Sequence, residues 1–131
     1  MQVFQTAAVT RLRAAYTTAR VHEPNQVPAS PALPYAVVSA STGLPRNYRI
    51  SGDHGTRQVR VVVQCIGATA ADCLFVAEKA DVAFLDQAPT VTGWTTTKAR
   101  REIEASPQRD PDDTTAVYAL ATYTYEARSD A

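Results

Sequence analysis

The segment that most constrains this chain runs from Thr56 to Asp86, where strict alternation passes through Gly67–Ala68–Thr69 into helical periodicity. In an extended chain, Val59, Val61, Val63 and Cys65 fall on one side, and Gln58, Arg60, Val62 and Gln64 on the other. The spacing predicts a strand over Gln58–Ile66. Thr69 then stands where a helix N-cap is needed: its hydroxyl can accept from the Asp72 amide, and the Asp72 carboxylate lies at the positive helix end. This is a capping box with Asp in place of the preferred Glu. Along the helix Cys73, Val76, Ala77, Ala80 and Phe84 make an apolar stripe flanked by Leu85, while Asp72, Glu78, Lys79 and Asp86 are expected to face water.

The flanking sequence supplies partners for this unit. Val3 to about Ala19 has apolar residues at helical spacing (Phe4, Ala8, Leu12, Ala15, Tyr16) but is too short to persist without docking. Residues 21–34 carry four prolines and read as a connecting arm with little capacity for sheet pairing. Tyr35–Ala40 is a strand candidate, followed by a break over Ser41–Pro45 and a glycine-flanked turn at Ser51–Gly55. Thr95–Glu104 and Thr115–Glu126 read as strands that pair antiparallel across an acidic loop, Ala105–Thr114. The expected fold is α+β: an antiparallel or mixed sheet of about four to five strands packed with two helices. A chain of 131 residues, with no visible repeat, fits one domain spanning 1–131.

Charge and cysteine usage narrow the function classes. Thirteen basic and thirteen acidic side chains cancel, so the electrostatic excess that drives nucleic-acid binding is missing. Only Lys98, Arg100 and Arg101 cluster. No apolar run is long enough to span a bilayer, and the N-terminal residues lack the order of a signal peptide. Folding in a reducing cytoplasm with free thiols is the expectation.

Chemistry-bearing motifs are missing. There is no phosphate-binding glycine loop, nucleophile elbow or zinc-binding helix motif. His54 beside Asp53, and His22 beside Glu23, read as solvated histidines rather than bases. Cys65 and Cys73 fall on apolar faces and read as small core hydrophobes, not metal ligands. The Asp110–Pro111–Asp112–Asp113 cluster lacks the glycine and distal glutamate of a calcium loop. Tyr118, Tyr123 and Tyr125 are read as packing rather than a base-stacking platform, and Trp94 as either a subunit-contact anchor or a cap on the sheet. No cofactor, metal or catalytic residue is expected, and the chain is not expected to be an enzyme.

Taken together, Arg20–Val21, Val27–Pro28, the run PALPYAVVSA, the segment QVRVVVQCIGATAADCLFVAEKADVAFLD and the final strand YALATYTYEA resemble the tail terminator family of long-tailed phages, in the form found in phages of actinobacteria. Gly67–Ala68–Thr69 is the most telling junction. The resemblance implies a structural virion protein at the head-proximal end of the tail, assembled in the host cytoplasm. It implies a homo-oligomer, a hexameric ring, that caps the tube, ends polymerisation and joins the tail to head-completion proteins. Its partners would be the major tail tube protein and the neck proteins, with DNA passing through without specific binding and no membrane involved. Asp53, His54, Arg57, Trp94, Arg109 and Asp112 are the expected interface residues. Two other readings stay open: another neck ring protein (stopper, connector or tail-completion protein), and a small α+β module binding a ligand or peptide.

Overall fold

The computed structural model describes residues 2–29, 31–41, 44–46, 56–103, 106–109 and 116–130. Helix α1 spans Gln2–Ala15 and helix α2 Ala70–Phe84. Among the described residues, eight strands form one sheet: β1 (Val21–His22), β2 (Tyr35–Ala40), β3 (Leu44–Arg46), β4 (Thr56–Gly67), β5 (Trp94–Thr96), β6 (Arg100–Ile103), β7 (Gln108–Arg109) and β8 (Val117–Ser129). The α+β class, the two helices and the mixed sheet agree with the sequence reading. The strand segments outnumber the expected four to five because both sides of the sheet are built from short pieces.

β4 and β8 form the spine, paired antiparallel from Thr56↔Arg128 to Gly67↔Val117. β2 and β3 lie end to end along the other side of β4, and β5, β6 and β7 along the free side of β8. β1 adds to β2 in parallel. The alternation read from the sequence holds: Val59, Val61, Val63 and Cys65 are buried and stand opposite Tyr125, Tyr123, Ala121 and Ala119. Both helices pack on this side. α1 contributes Phe4, Ala8 and Leu12, spaced one turn apart, and α2 contributes Cys73, Val76, Ala80, Ala83 and Phe84.

The cap on α2 is as expected, with the Thr69 hydroxyl accepting from the Asp72 amide at 3.2 Å. Gly67 lets the strand close on the helix. A Cβ there would stand 2.8 Å from Asp72 Cβ and 2.9 Å from the Cys73 nitrogen. At the other end, Asp86 takes a left-handed φ of 57°, and Arg11 Nε donates to the Ala83 carbonyl at 2.6 Å, satisfying a last-turn acceptor.

Five expectations need correction. α1 ends at Ala15 rather than Ala19, because Thr17 is extended and the chain turns to bring Val21 alongside Ala36. The proline arm is not free of pairing. It supplies β1, and Arg20 Nη1 and Tyr16 Oη both donate to the Pro34 carbonyl. The break over Ser41–Pro45 contains the start of β3, where Pro45 pairs on one side only, a position its missing donor permits. Thr95–Glu104 is interrupted: the Ala99 amide donates to Gln87 and the Ala99 carbonyl accepts from the Asp86 amide, drawing the chain off β8 toward the end of α2. Similarly, the loop at 105–114 includes β7, which pairs with Tyr118 and Val117.

The β2 edge is finished by a side chain. Beyond the short β1, the Gln5 amide donates to the Val38 carbonyl at 2.9 Å, and its Oε1 accepts from the Ala40 amide at 2.6 Å. One glutamine thus takes the place of a neighbouring strand's peptide group and blunts an edge that would otherwise offer a template for pairing.

Candidate functional site

Among the described residues, no group of three or more His, Cys, Asp or Glu side chains could hold a metal ion, and no helix is long and apolar enough to cross a membrane. Cys65 and Cys73 are buried and unbridged, and the Cys73 thiol donates to the Cys65 carbonyl at 3.1 Å. Burial pushes the Cys65 thiol up to about 12 and raises that of Cys73, which makes both poor nucleophiles.

A polar cluster fastens α2 to the sheet. Asp81 Oδ1 accepts from the Tyr123 hydroxyl at 2.5 Å and from Arg101 Nη2 on β6. Tyr123 is fully buried, with Phe84 5.4 Å away between ring centres. Its hydroxyl is shifted upward, first by burial and then by the Asp81 carboxylate, with Arg101 opposing. This cluster is a fastening rather than a catalytic device, since its polar atoms are spent on one another. On the opposite face Arg60 and Glu102 form a two-pronged pair at 2.9 and 2.8 Å, and the Thr124 hydroxyl donates to the same carboxylate. The Arg60 guanidinium holds the Glu102 carboxyl below its ordinary range.

These titrations give a pH expectation. The thiols of Cys65 and Cys73 and the hydroxyls of Tyr123 and Tyr125 are all shifted upward by burial, from ordinary values of 9.0 and 10.0. Each stays neutral in the folded chain where the unfolded chain ionises. Their contribution is therefore complete below pH 9 and is lost as the pH climbs toward the folded values. The melting temperature should hold steady from about pH 7 to 8.5, fall above about 9 and fall more steeply above about 10. Tyr125→Phe should lessen the fall above pH 10; a melting temperature unchanged to about pH 11 would contradict the burial of these groups.

What the surface offers is two faces with exposed hydrophobics, the first mixed with polar side chains and the second largely apolar. The first is the sheet face turned away from the helices. The register aligns Tyr35 with Ile66 and Tyr118, Val37 with Gln64 and Leu120, and Ser39 with Val62 and Thr122. Leu120 is 43% exposed, and no helix among the described residues lies over this side. The second is the outward face of α2. Leu74, Phe75 and Val82 are 46, 44 and 67% exposed, three of the five large hydrophobics exposed among the described residues. Phe75 is partly tended, with Tyr16 edge-on at 5.9 Å and Lys79 Nζ 5.2 Å from its ring centre. Val82 borders a shallow groove with Arg11, Ala14, Ala15 and Ala83. Covering each of these side chains would contribute on the order of 1 kcal/mol, about half the value of full burial.

Of the six expected interface residues three are described, and Arg109 lies far from Arg57 and Trp94. Asp53, His54 and Asp112, with the Ser51–Gly55 turn and most of the acidic loop, lie outside the described residues. Arg57 is half-buried opposite Ala127, on the helix side of the sheet, and its Nε has no hydrogen-bond partner among the described residues. Trp94 packs on Phe4 at 5.1 Å, so it caps the space between α1 and the sheet. Arg109 is exposed opposite Val117, ten residues further along β8 than Arg57, roughly 33 Å away. Tyr123 and Tyr125 are core residues, and Tyr118 is half-buried. His22 sits edge-on to Tyr35 at 5.7 Å. Sequence reasoning missed Leu74, Phe75 and Val82, although the signal was there: α2 carries large apolar side chains all round, where a surface helix keeps them to one side.

The described residues form a two-layer α+β sandwich with both helices on one side of the sheet. No protein-family model and no curated protein sequence matches the chain. Among solved structures, it is similar to a chain of the virion of a native gene transfer agent particle, with a TM-score of 0.68, 16% identity, and coverage of 95% of this chain and 94% of that one. A second solved chain, whose name describes no function, is similar with a TM-score of 0.58 at 16% identity, covering 96% of this chain and 91% of that one. At these identities the likeness is one of fold.

Proposed function

We propose that this chain is a structural virion protein, a tail terminator that forms a hexameric ring at the head-proximal end of a phage tail. In this reading the ring caps the tube, ends its polymerisation and receives the head-completion proteins, with no catalytic step. The observation that carries it is the pair of surfaces with exposed hydrophobics, Leu120 on one side of the sandwich and Leu74, Phe75 and Val82 on the other, joined to a fold shared over almost the full length with a chain of a virion particle. Closed rings need two different patches per copy, and this chain has two. The balanced charge suits a bore through which DNA passes without being gripped.

Deleting the gene from the phage that encodes it is the direct test. The expected result is tails of uncontrolled length with few attached heads, restored by supplying the protein in trans. Particles of normal tail length and normal attachment would contradict the proposal.

A further inference from the structure

Each exposed apolar face lacks something the other has. Among the described residues, helices cover the sheet on one side only, while α2 carries large apolar side chains on its outward as well as its inward side. A helix with that distribution is normally sandwiched. The two surfaces also agree in size. Leu74 to Val82 spans about 12 Å along the helix, and Val37 to Leu120, across β4, spans about 10 Å on the sheet.

Their charges are opposed in balance, since the helix-free face carries Arg60, Arg100 and Arg128 against Glu102 and Glu126. Glu78 lies between Leu74 and Val82 on the outward face of α2 and has no ion-pair or hydrogen-bond partner among the described residues. On the helix-free sheet face, Arg100 is exposed opposite Thr124, four residues along β8 from Leu120, roughly 13 Å. Arg128 is exposed on the same face, in register with Thr56 and Thr95. Neither Arg100 nor Arg128 has an ion-pair partner among the described residues. The alternation along β6 supports this placement, since Arg101 reaches the other way to Asp81 on α2.

Resting on the ring reading, we infer that the outward face of α2 in one copy seats on the helix-free sheet face of the next copy. Leu74 and Val82 cover Val37, Val62 and Leu120, and Glu78 turns toward the basic end carried by Arg100 and Arg128. The contact is heterologous. Each copy gives its helix to one neighbour and its sheet to the other, so that the missing third layer of every sandwich comes from the adjacent protomer.

Two surface variants test this, Val82→Glu on the helix face and Leu120→Glu on the sheet face, each first checked for wild-type melting. Native mass spectrometry then reads assembly. A carboxylate set in either apolar contact should weaken association by about a hundredfold or more, leaving each variant alone as a monomer. Mixed together they should form dimers and nothing larger, because one intact helix face and one intact sheet face remain between them. Wild-type rings with either variant still assembling would overturn the inference while leaving the ring reading intact. So would a mixture that stays monomeric, since the intact helix face of Leu120→Glu and the intact sheet face of Val82→Glu are then shown not to pair. A wild type that stays monomeric at every concentration, and also on a tail tube, would remove the ring reading and the inference together.

Discussion

Tyr123→Ala should be the most damaging single substitution in the sheet, lowering stability by about 3–5 kcal/mol in denaturant unfolding. The ring is fully buried at the centre of β8, opposite Val61 and against Phe84, so truncation opens a cavity where strand and helix meet. It also deprives Asp81 of one of its two donors. Against a total stability of about 5–15 kcal/mol, a loss of that size leaves a large unfolded fraction. Tyr123→Phe separates the two contributions. It keeps the ring and removes only the bond to the carboxylate, a loss of about 1.5 kcal/mol, the lower end for a charged acceptor, since the Asp81 side chain is 29% exposed and water can replace the donor. A Tyr123→Ala variant within 1 kcal/mol of wild type would mean that β8 does not run under α2 as described.

Gly67→Ala should cost about 1–3 kcal/mol, the range for an added methyl group in a packed site. The obstacle is space rather than backbone conformation. The added methyl would press on Asp72 Cβ and the Cys73 nitrogen, and that nitrogen donates to the Thr69 carbonyl in the first turn of α2. Either the helix start lifts off the sheet or the Thr69 cap is lost. Gly93 makes the complementary control. Its φ of 84° disfavours any side chain, yet a methyl there meets nothing within 4 Å. Gly93→Ala should therefore cost about 1 kcal/mol through backbone strain alone. Circular dichroism separates the cases: only the Gly67 variant should lose helical signal before the global transition. Gly67→Ala with wild-type stability would show that the junction has more room than its geometry allows.

The strand–turn–helix unit was readable because its signals are local. Alternation over Gln58–Ile66 and the Thr69–Asp72 cap depend on neighbours within a few residues, and both are found as expected. β8 was equally readable from its β-branched and aromatic run, although it continues three residues past Glu126. The features that escaped depend on distant partners. Ala99 leaves the sheet because it bonds to Asp86 and Gln87, and Val21 enters it because Ala36 is there to receive it. Nothing within a few residues of either position announces that. Asp81 likewise gains its role from Tyr123 and Arg101, which lie 42 and 20 residues away.

The candidate surface divides along the same line. Of the six residues expected at an interface, Trp94 turned inward onto Phe4 and Arg57 is half-buried on the helix side, while Arg109 stands at the far end of β8. In the sequence, polar residues in turns look like contacts on general grounds, and the stripe at Cys73, Val76 and Phe84 already accounts for α2 without its outward hydrophobics. A second apolar face on the same helix is a statement about a partner, and it becomes legible only once the first face has been filled by the chain's own sheet.

In the proposed assembly, this chain closes into a ring of copies. Native mass spectrometry of the purified protein over a range of concentrations, with negative-stain imaging of the same sample, tests ring closure. The expected result is one dominant species at six times the 14.1 kDa chain mass, seen end-on as a closed ring with a central opening. A monomer at every concentration that also fails to form a ring on tail tubes would contradict it.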